Sequence, residues 1–86
     1  MIYKVFIVED DASLLEIAIH QLEAANYIVH PFTSAEEAWK SFDKVTPDLV
    51  LTDLVLEGGI NGDQLLKKIK GYNTNIPVIL MTANGS

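Results

Sequence analysis

Apolar runs that suit buried strands alternate along this chain with stretches of helical spacing. Tyr3 to Val8, Leu49 to Leu51 and Val78 to Met81 are almost unbroken apolar runs, which is typical of strands covered on both faces of a parallel sheet. Tyr27 to Phe32 is a weaker candidate for a strand. The pattern therefore predicts four strands with helices between them.

Three segments between these runs have the spacing of amphipathic helices. The first has Asn26 placed to end it, and the second opens at a capping box formed by Ser34 and Glu37. The third opens at Gly62, and Gly71 is expected to end it. The predicted inward side chains are Leu14, Leu15, Ala18, Ile19 and Leu22 in the first helix, Ala35, Ala38, Trp39 and Phe42 in the second, and Leu65, Leu66 and Ile69 in the third.

The order of the elements predicts the fold class. Strands that alternate with helices imply right-handed crossovers and an α/β fold with a doubly wound parallel sheet, here with four strands and three helices. No linker divides the chain, so residues 1–86 are interpreted as a single domain.

Composition excludes several classes of function. A hydrophobic fraction of 49% with 21% charged residues is typical of a globular chain. Six Lys plus Arg against twelve Asp plus Glu give a net charge of −6, which offers no attraction to nucleic acid or to an anionic membrane surface. The absence of cysteine, of a secretory leader and of an apolar stretch long enough to span a bilayer predicts a cytoplasmic location.

Carboxylates directly follow two of the predicted strands. Glu9 and Asp10 follow the first strand, and Asp53 ends the third. The ligand crevice of an open α/β sheet lies beyond the carboxyl ends of its strands, so these three side chains should converge. Two carboxylates about 4 Å apart repel by roughly 1 kcal/mol in water and about 4 kcal/mol near a protein surface, and a cation would relieve this repulsion. Oxygen ligands with open positions suit Mg²⁺ and phosphate chemistry, whereas Asp11 is interpreted as a helix N-cap.

Four motifs mark the predicted strands and the third helix. They are "VFIVEDD" at the first strand, "DLVLTD" at the third strand, "NGDQLLKKIK" at the third helix and "IPVILMTA" at the fourth strand. Together they cover essentially the whole chain and resemble the receiver domain of two-component response regulators. The resemblance implies a flavodoxin-like receiver fold. It also implies Mg²⁺-dependent phosphoryl transfer to an aspartate from a histidine kinase or a phosphotransfer protein.

The resemblance assigns roles to individual residues. It makes Asp53 the phosphoacceptor and, with Asp10, a ligand of Mg²⁺. Glu9 would act on the ion through water or from the outer shell, and Val55 would supply a backbone carbonyl. The expected contacts to the phosphoryl oxygens are the Thr82 hydroxyl and the Ala83 N–H.

The chain also departs from the family pattern. Glu57 stands where the loop after the acceptor usually carries proline, and this loop is one residue longer than the commonest version. Receivers usually continue beyond the position of Ser86 with a fourth helix, a fifth strand that bears a phosphate-binding lysine, and a fifth helix. The resemblance therefore implies a C-terminally truncated receiver that lacks these elements. Without the lysine, we expect phosphorylation to be slow or absent, because a cationic partner of the phosphoryl group is missing. Without the final strand and helices, we expect self-association through an open edge strand and an uncovered sheet face.

Three functional hypotheses remain open. The favoured one is a phosphoacceptor signalling module that is not a turnover enzyme. The second is a phosphorylation-deficient, receiver-like interaction module, for which the missing lysine is the argument. The third is an aspartyl-phosphate hydrolase of the haloacid dehalogenase type, which needs a second aspartate two residues after the first. Val55 occupies that position, so this activity is not expected.

Overall fold

Four strands alternate with three helices in the computed structural model, which describes residues 2–73 and 75–81. The elements in chain order are β1 (Lys4–Val8), α1 (Ala12–Ala24), β2 (Ile28–Phe32), α2 (Ala35–Ser41), β3 (Leu49–Asp53), α3 (Gly62–Tyr72) and β4 (Val78–Met81). Among the described residues, no helix combines the length and the apolar character that crossing a bilayer requires.

The strands form one parallel sheet in the order β2-β1-β3-β4. In the centre of the sheet Val5 pairs with Val29 of β2 and with Leu49 of β3. Pro31 cannot donate a main-chain hydrogen bond, and its position in β2 is compatible with the sheet because β2 is an edge strand. The predicted doubly wound α/β arrangement of four strands and three helices is confirmed.

The two faces of the sheet are covered by different helices. Phe6 and Val8 belong with Val50 to a core cluster that includes buried residues of α2 and α3. Since successive strand side chains point to opposite faces, Val5 and Ile7 lie on the other face, where α1 packs against β1 and β2. Burial of each large apolar side chain contributes roughly 1.5–3 kcal/mol. The two central strands are therefore anchored from both sides.

Side-chain caps determine where two of the helices begin. The Asp11 carboxylate accepts hydrogen bonds from the N–H groups of Ser13 and Leu14, at 2.9 and 3.0 Å. The Ser34 hydroxyl accepts one from the N–H of Glu37, at 3.2 Å. Each cap satisfies donors that have no partner inside the helix. The interpretation of Asp11 as an N-cap and the predicted start of the second helix are confirmed.

Less of the apolar face of helix α1 is buried than the sequence predicts. Leu15 is buried, but Leu14, which was predicted to face inward, is 49% exposed. Ile17 is 54% exposed. The helix packs mainly against β1 and β2, so a narrow stripe around Leu15 suffices to cover them. Asn26, with a φ of 71°, follows the end of the helix in the left-handed conformation, as its predicted role requires.

Helix α3 extends past the residue that was predicted to end it. Gly71 lies inside the last turn, and the helix ends at Tyr72 with Asn73 as its C-cap. The added residue brings the ring of Tyr72 edge-on to Phe42, with 5.3 Å between ring centroids. Trp39 packs on Phe42 at 5.4 Å, as predicted for core packing. This aromatic contact favours helix over an earlier glycine stop.

Candidate functional site

Three carboxylates meet at the carboxyl ends of β1 and β3. Glu9 and Asp10 directly follow β1, and Asp53 is the last residue of β3. One oxygen from each carboxylate lies within 4.8 Å of the other two. The two strands are paired up to Val8 and Thr52, so the residues that follow lie side by side. The predicted convergence is confirmed.

Within this cluster, Glu9 has an environment that disfavours its ionised form. Its Oε2 atom is buried and has no hydrogen-bond partner among the described residues. Burial, followed by the hydrogen bond and charge repulsion with Asp53 and then by repulsion from Asp10, raises the pKa of Glu9 to about 7. The N–H of Asp11 opposes this shift. The cluster is therefore not fully ionised at neutral pH unless positive charge is added.

Asp10 connects the end of β1 to the loop that follows β3. Its Oδ2 atom accepts a hydrogen bond from the N–H of Glu57 at 3.0 Å, although the two residues are 47 positions apart. A carboxylate that is held by a backbone donor keeps one orientation. Asp10 is thus oriented by the loop as well as by its own strand.

The main chain around Asp53 is held by its neighbours. The N–H of Leu54 donates to the carbonyl of Met81 at 2.8 Å, and the N–H of Gly62 donates to the carbonyl of Leu54 at 3.0 Å. A Cβ atom at position 62 would overlap the Asp53 carbonyl, so only glycine allows α3 to begin this close to β3. Residue 53 therefore has a fixed backbone from which its side chain projects.

The donor set of the cluster fits a hard divalent cation. It consists of carboxylate oxygens, which are the ligands that Mg²⁺ prefers. Within residues 2–73 and 75–81 none of the three carboxylates forms an ion pair. The buried Glu9 oxygen, which no other described residue binds, is an atom that a nearby cation would satisfy. The arrangement is suited to holding Mg²⁺ beside Asp53.

The resemblance assigns three further residues to the site. Val55 lies two residues after Asp53, and the role of its carbonyl as a metal ligand stays a prediction. Thr82 and Ala83 lie outside the described residues, and their assigned roles stay predictions.

Two side chains that the sequence analysis did not single out bind the loop after β3. Asn61 Oδ1 accepts a hydrogen bond from the N–H of Leu56 at 3.1 Å, and Glu36 Oε2 accepts one from the N–H of Ile60 at 2.9 Å. Gln64, three residues after Asn61, gives a capping-box spacing that could have drawn attention to Asn61. Glu36 carries no local signal, because its partner is 24 positions away.

Sequence comparison relates the chain to one family. Residues 5–86 match the family described as the response regulator receiver domain. The DNA-binding transcriptional regulator NtrC of Escherichia coli (strain K12) is 34% identical over 80 residues, which cover 93% of this chain and 17% of NtrC. The chain spans only 11–18% of the length of several curated relatives that it matches.

Solved structures with the same architecture support this relationship. The non-phosphorylated HemR receiver domain from Leptospira biflexa has a TM-score of 0.86 and 31% identity, with coverage of 98% of this chain and 67% of that one. TrrA from Thermotoga maritima, solved in complex with Mg²⁺-BeF, has a TM-score of 0.88 and 27% identity, with coverage of 94% and 70%. The predicted flavodoxin-like receiver fold is confirmed.

Proposed function

The chain belongs to the response regulator receiver domain family, and on that premise we propose that it is a two-component signalling module that accepts a phosphoryl group on Asp53. Receiver domains are signalling phosphoacceptors. The observation that carries the proposal for this chain is the crowding of Glu9, Asp10 and Asp53 within 4.8 Å of one another, together with a buried Glu9 oxygen that has no hydrogen-bond partner in the described part of the chain.

Asp53 supplies the nucleophile. One of its carboxylate oxygens forms the new bond to phosphorus while the bond from phosphorus to the donor histidine nitrogen breaks, and the electron pair of that bond stays on the nitrogen. A carboxylate is a weak nucleophile, so the rate depends on in-line positioning and on charge neutralisation. The hydrogen bonds of Leu54 and Gly62 fix the backbone on which this positioning depends.

The proposed Mg²⁺ ligands are Asp10, Asp53 and the Val55 carbonyl, with Glu9 acting through water or from the outer shell. When bound, the ion supplies positive charge that offsets the charge of the phosphoryl oxygens. A bound cation would favour the ionised form of Glu9, because its positive charge would oppose the repulsion from Asp53 and Asp10 that contributes to the raised pKa of Glu9. Asp10 keeps its orientation through the N–H of Glu57.

Thr82 and Ala83 are proposed to contact the phosphoryl oxygens through a hydroxyl and an N–H. The proposed phosphodonor is a sensor histidine kinase or a phosphotransfer protein. The net charge of −6 disfavours direct contact with nucleic acid or an anionic membrane. A chain without cysteine is compatible with the proposed cytoplasmic location.

A phosphorylation-deficient interaction module is the second candidate. Its support is that, among the described residues, the three carboxylates form no ion pair with a lysine that could also neutralise a phosphoryl group. On this hypothesis the chain binds a kinase and competes for it without accepting phosphate.

Acetyl phosphate with Mg²⁺ separates the two candidates. The favoured function predicts that intact-mass spectrometry detects the addition of one phosphoryl group, which Asp53→Asn abolishes. Asp48→Asn is the matched control, because Asp48 binds the Lys4 N–H at the opposite end of the sheet, and it should leave the addition unchanged. No addition to the wild type, together with retained kinase binding, favours the interaction module. Hydrolysis of a chromogenic phosphate ester would contradict both and indicate a turnover enzyme.

The edge strand β4 supports a proposal of self-association. Ile79 is 50% exposed and Leu80 is 37% exposed on this strand, and within the described residues no strand pairs with its outer edge. The 86-residue chain is therefore proposed to form a homo-oligomer by edge pairing or by exchanging elements. Sedimentation should detect a dimer or larger species at micromolar concentration, and Ile79→Lys should weaken it. A folded wild-type monomer would contradict the proposal.

A further inference from the structure

The loop between β3 and α3 is tied to two other elements beside the acidic cluster. We call residues 54–61 the site loop. Within it, the N–H of Glu57 donates to Asp10 Oδ2 at 3.0 Å, and the N–H of Ile60 donates to Glu36 Oε2 at 2.9 Å. The first bond reaches the end of β1 and the second reaches α2. The conformation of the site loop therefore depends on two distant carboxylates.

Glu36 is suited to act as an ionised anchor. It lies in the first turn of α2. The pKa of Glu36 is held below its ordinary value, first by the N–H of Ile60 and then by the backbone N–H of Glu36 itself, with the nearby charge of Lys40 acting in the same direction. The bond to Ile60 is therefore charge-assisted at neutral pH, which makes it stronger than a bond between neutral groups.

The site loop contains a glycine that leaves room for this anchor. Gly59 has a φ of 111°, and a Cβ atom at this position would overlap the Glu36 carboxylate. The neighbouring Gly58 also has a positive φ, 62°, but a Cβ atom there would have nothing within 4 Å. The contact is thus specific to one of two adjacent glycines, and it requires the carboxylate and the glycine together.

We propose that Glu36 is a positioning residue for the acidic cluster, although it is not one of the three converging carboxylates. By holding Ile60 it fixes the site loop, and through the loop it fixes the Val55 carbonyl and the Glu57 N–H that orients Asp10. Loss of the anchor lets the loop adopt other conformations, so the cluster binds Mg²⁺ less tightly. This inference rests on the proposed function of the cluster.

The test is an Mg²⁺ titration of the 86-residue chain followed by amide NMR, with hydrogen exchange of the Ile60 amide as a second readout. Glu36→Ala should raise the apparent Kd for Mg²⁺ about tenfold, the lower end of effects for groups that support metal ligands, and should speed exchange at Ile60. Glu37→Ala removes the same charge from the next position of the helix and should change the Kd less than about twofold. Glu36→Gln keeps an acceptor oxygen and should restore part of the affinity.

The outcomes separate this inference from the proposed function. A folded Glu36→Ala protein with wild-type Mg²⁺ affinity overturns the positioning role while the proposed function stands. A wild type that binds no Mg²⁺ overturns both. If Glu36→Ala does not fold, Glu36→Asp decides the question, because it keeps the charge while its shorter side chain no longer reaches the N–H of Ile60. Weaker Mg²⁺ binding in a folded Glu36→Asp protein supports the role, and wild-type affinity overturns it.

Discussion

Carboxylates at the two ends of the sheet lie in opposite environments. At the amino end, Asp48 Oδ2 accepts the N–H of Lys4 at 2.8 Å, and the N–H of Asp48 donates to the Lys4 carbonyl at 2.8 Å. At the carboxyl end, Glu9 lies beside two further carboxylates, and one of its oxygens is buried without a hydrogen-bond partner among residues 2–73 and 75–81. An acid with hydrogen-bond partners therefore stabilises the fold, whereas a crowded group of acids weakens the fold and is available to a ligand.

The core beneath the crowded end offsets its cost. A buried polar atom without a partner costs about 1–3 kcal/mol, which is a large part of the 5–15 kcal/mol that stabilises a typical domain. Val8, Val50 and Thr52, which precede the acidic residues on β1 and β3, are completely buried. The strands therefore hold the carboxylates together against their repulsion.

The largest expected effect is on metal affinity. Asp10→Asn should weaken Mg²⁺ binding by about 100-fold, because it removes a proposed charged ligand, and the loss should reach at least the upper end seen for supporting groups. Asp48→Asn, at the satisfied end, should leave binding unchanged. Isothermal titration calorimetry on both variants measures the difference. Equal affinities in the two variants would remove the distinction between the ends of the sheet.

The next effect is the pH dependence of Mg²⁺ binding. Since the pKa of Glu9 is about 7, one proton must leave as the ion binds below that pH. The apparent affinity should therefore fall about tenfold for each unit of pH below 7 and level off above it. Titrations from pH 5.5 to 8.5 test this, and Glu9→Gln should flatten the profile. An affinity that does not change with pH would contradict the raised pKa.

Without metal, the raised pKa of Glu9 should also make the free energy of unfolding depend on pH. The unfolded chain loses the Glu9 proton near its ordinary pKa of 4.5, whereas the folded protein keeps it up to about 7. The folded state binds more protons in this window, so the contribution of Glu9 to the free energy of unfolding falls as pH rises from 4.5 to 7. Urea unfolding of the wild type minus that of Glu9→Gln should follow this decline. A difference that rises with pH would reverse the sign.

The smallest expected effect is that of replacing Asp11, whose carboxylate already has hydrogen-bond partners. Asp11→Ala removes the cap of α1 and should cost about 1 kcal/mol in the free energy of unfolding, with no change in Mg²⁺ affinity. Denaturant unfolding and a magnesium titration of this variant check both parts. A marked loss of Mg²⁺ affinity would mean that Asp11 belongs with the crowded carboxylates after all.

Local patterns in the sequence predicted most of the fold. Val78 to Met81 forms β4 as predicted, and the cap at Ser34 starts α2, because apolar runs and caps act over a few residues. The exposure of Leu14 was not predictable, since a helical pattern marks an apolar side without telling how much of it neighbouring elements will cover.

In the site, too, some features were predictable from the sequence and others were not. The convergence of the acids was predictable because the ends of parallel strands meet at one edge of a sheet. The bonds from Ile60 to Glu36 and from Glu57 to Asp10 join positions 24 and 47 residues apart, and no spacing rule connects them. Only the folded chain brings these partners together.

The most direct test of the account is an amide NMR titration of the wild type with Mg²⁺ that compares the two ends of the sheet. If the crowded carboxylates bind the ion, saturable shifts are expected at Asp10, Asp53 and Glu57, with little change at Lys4 and Asp48. Absence of shifts at the first three residues, or equal weak shifts at both ends, would contradict the claim that the crowded carboxylates share a divalent ion.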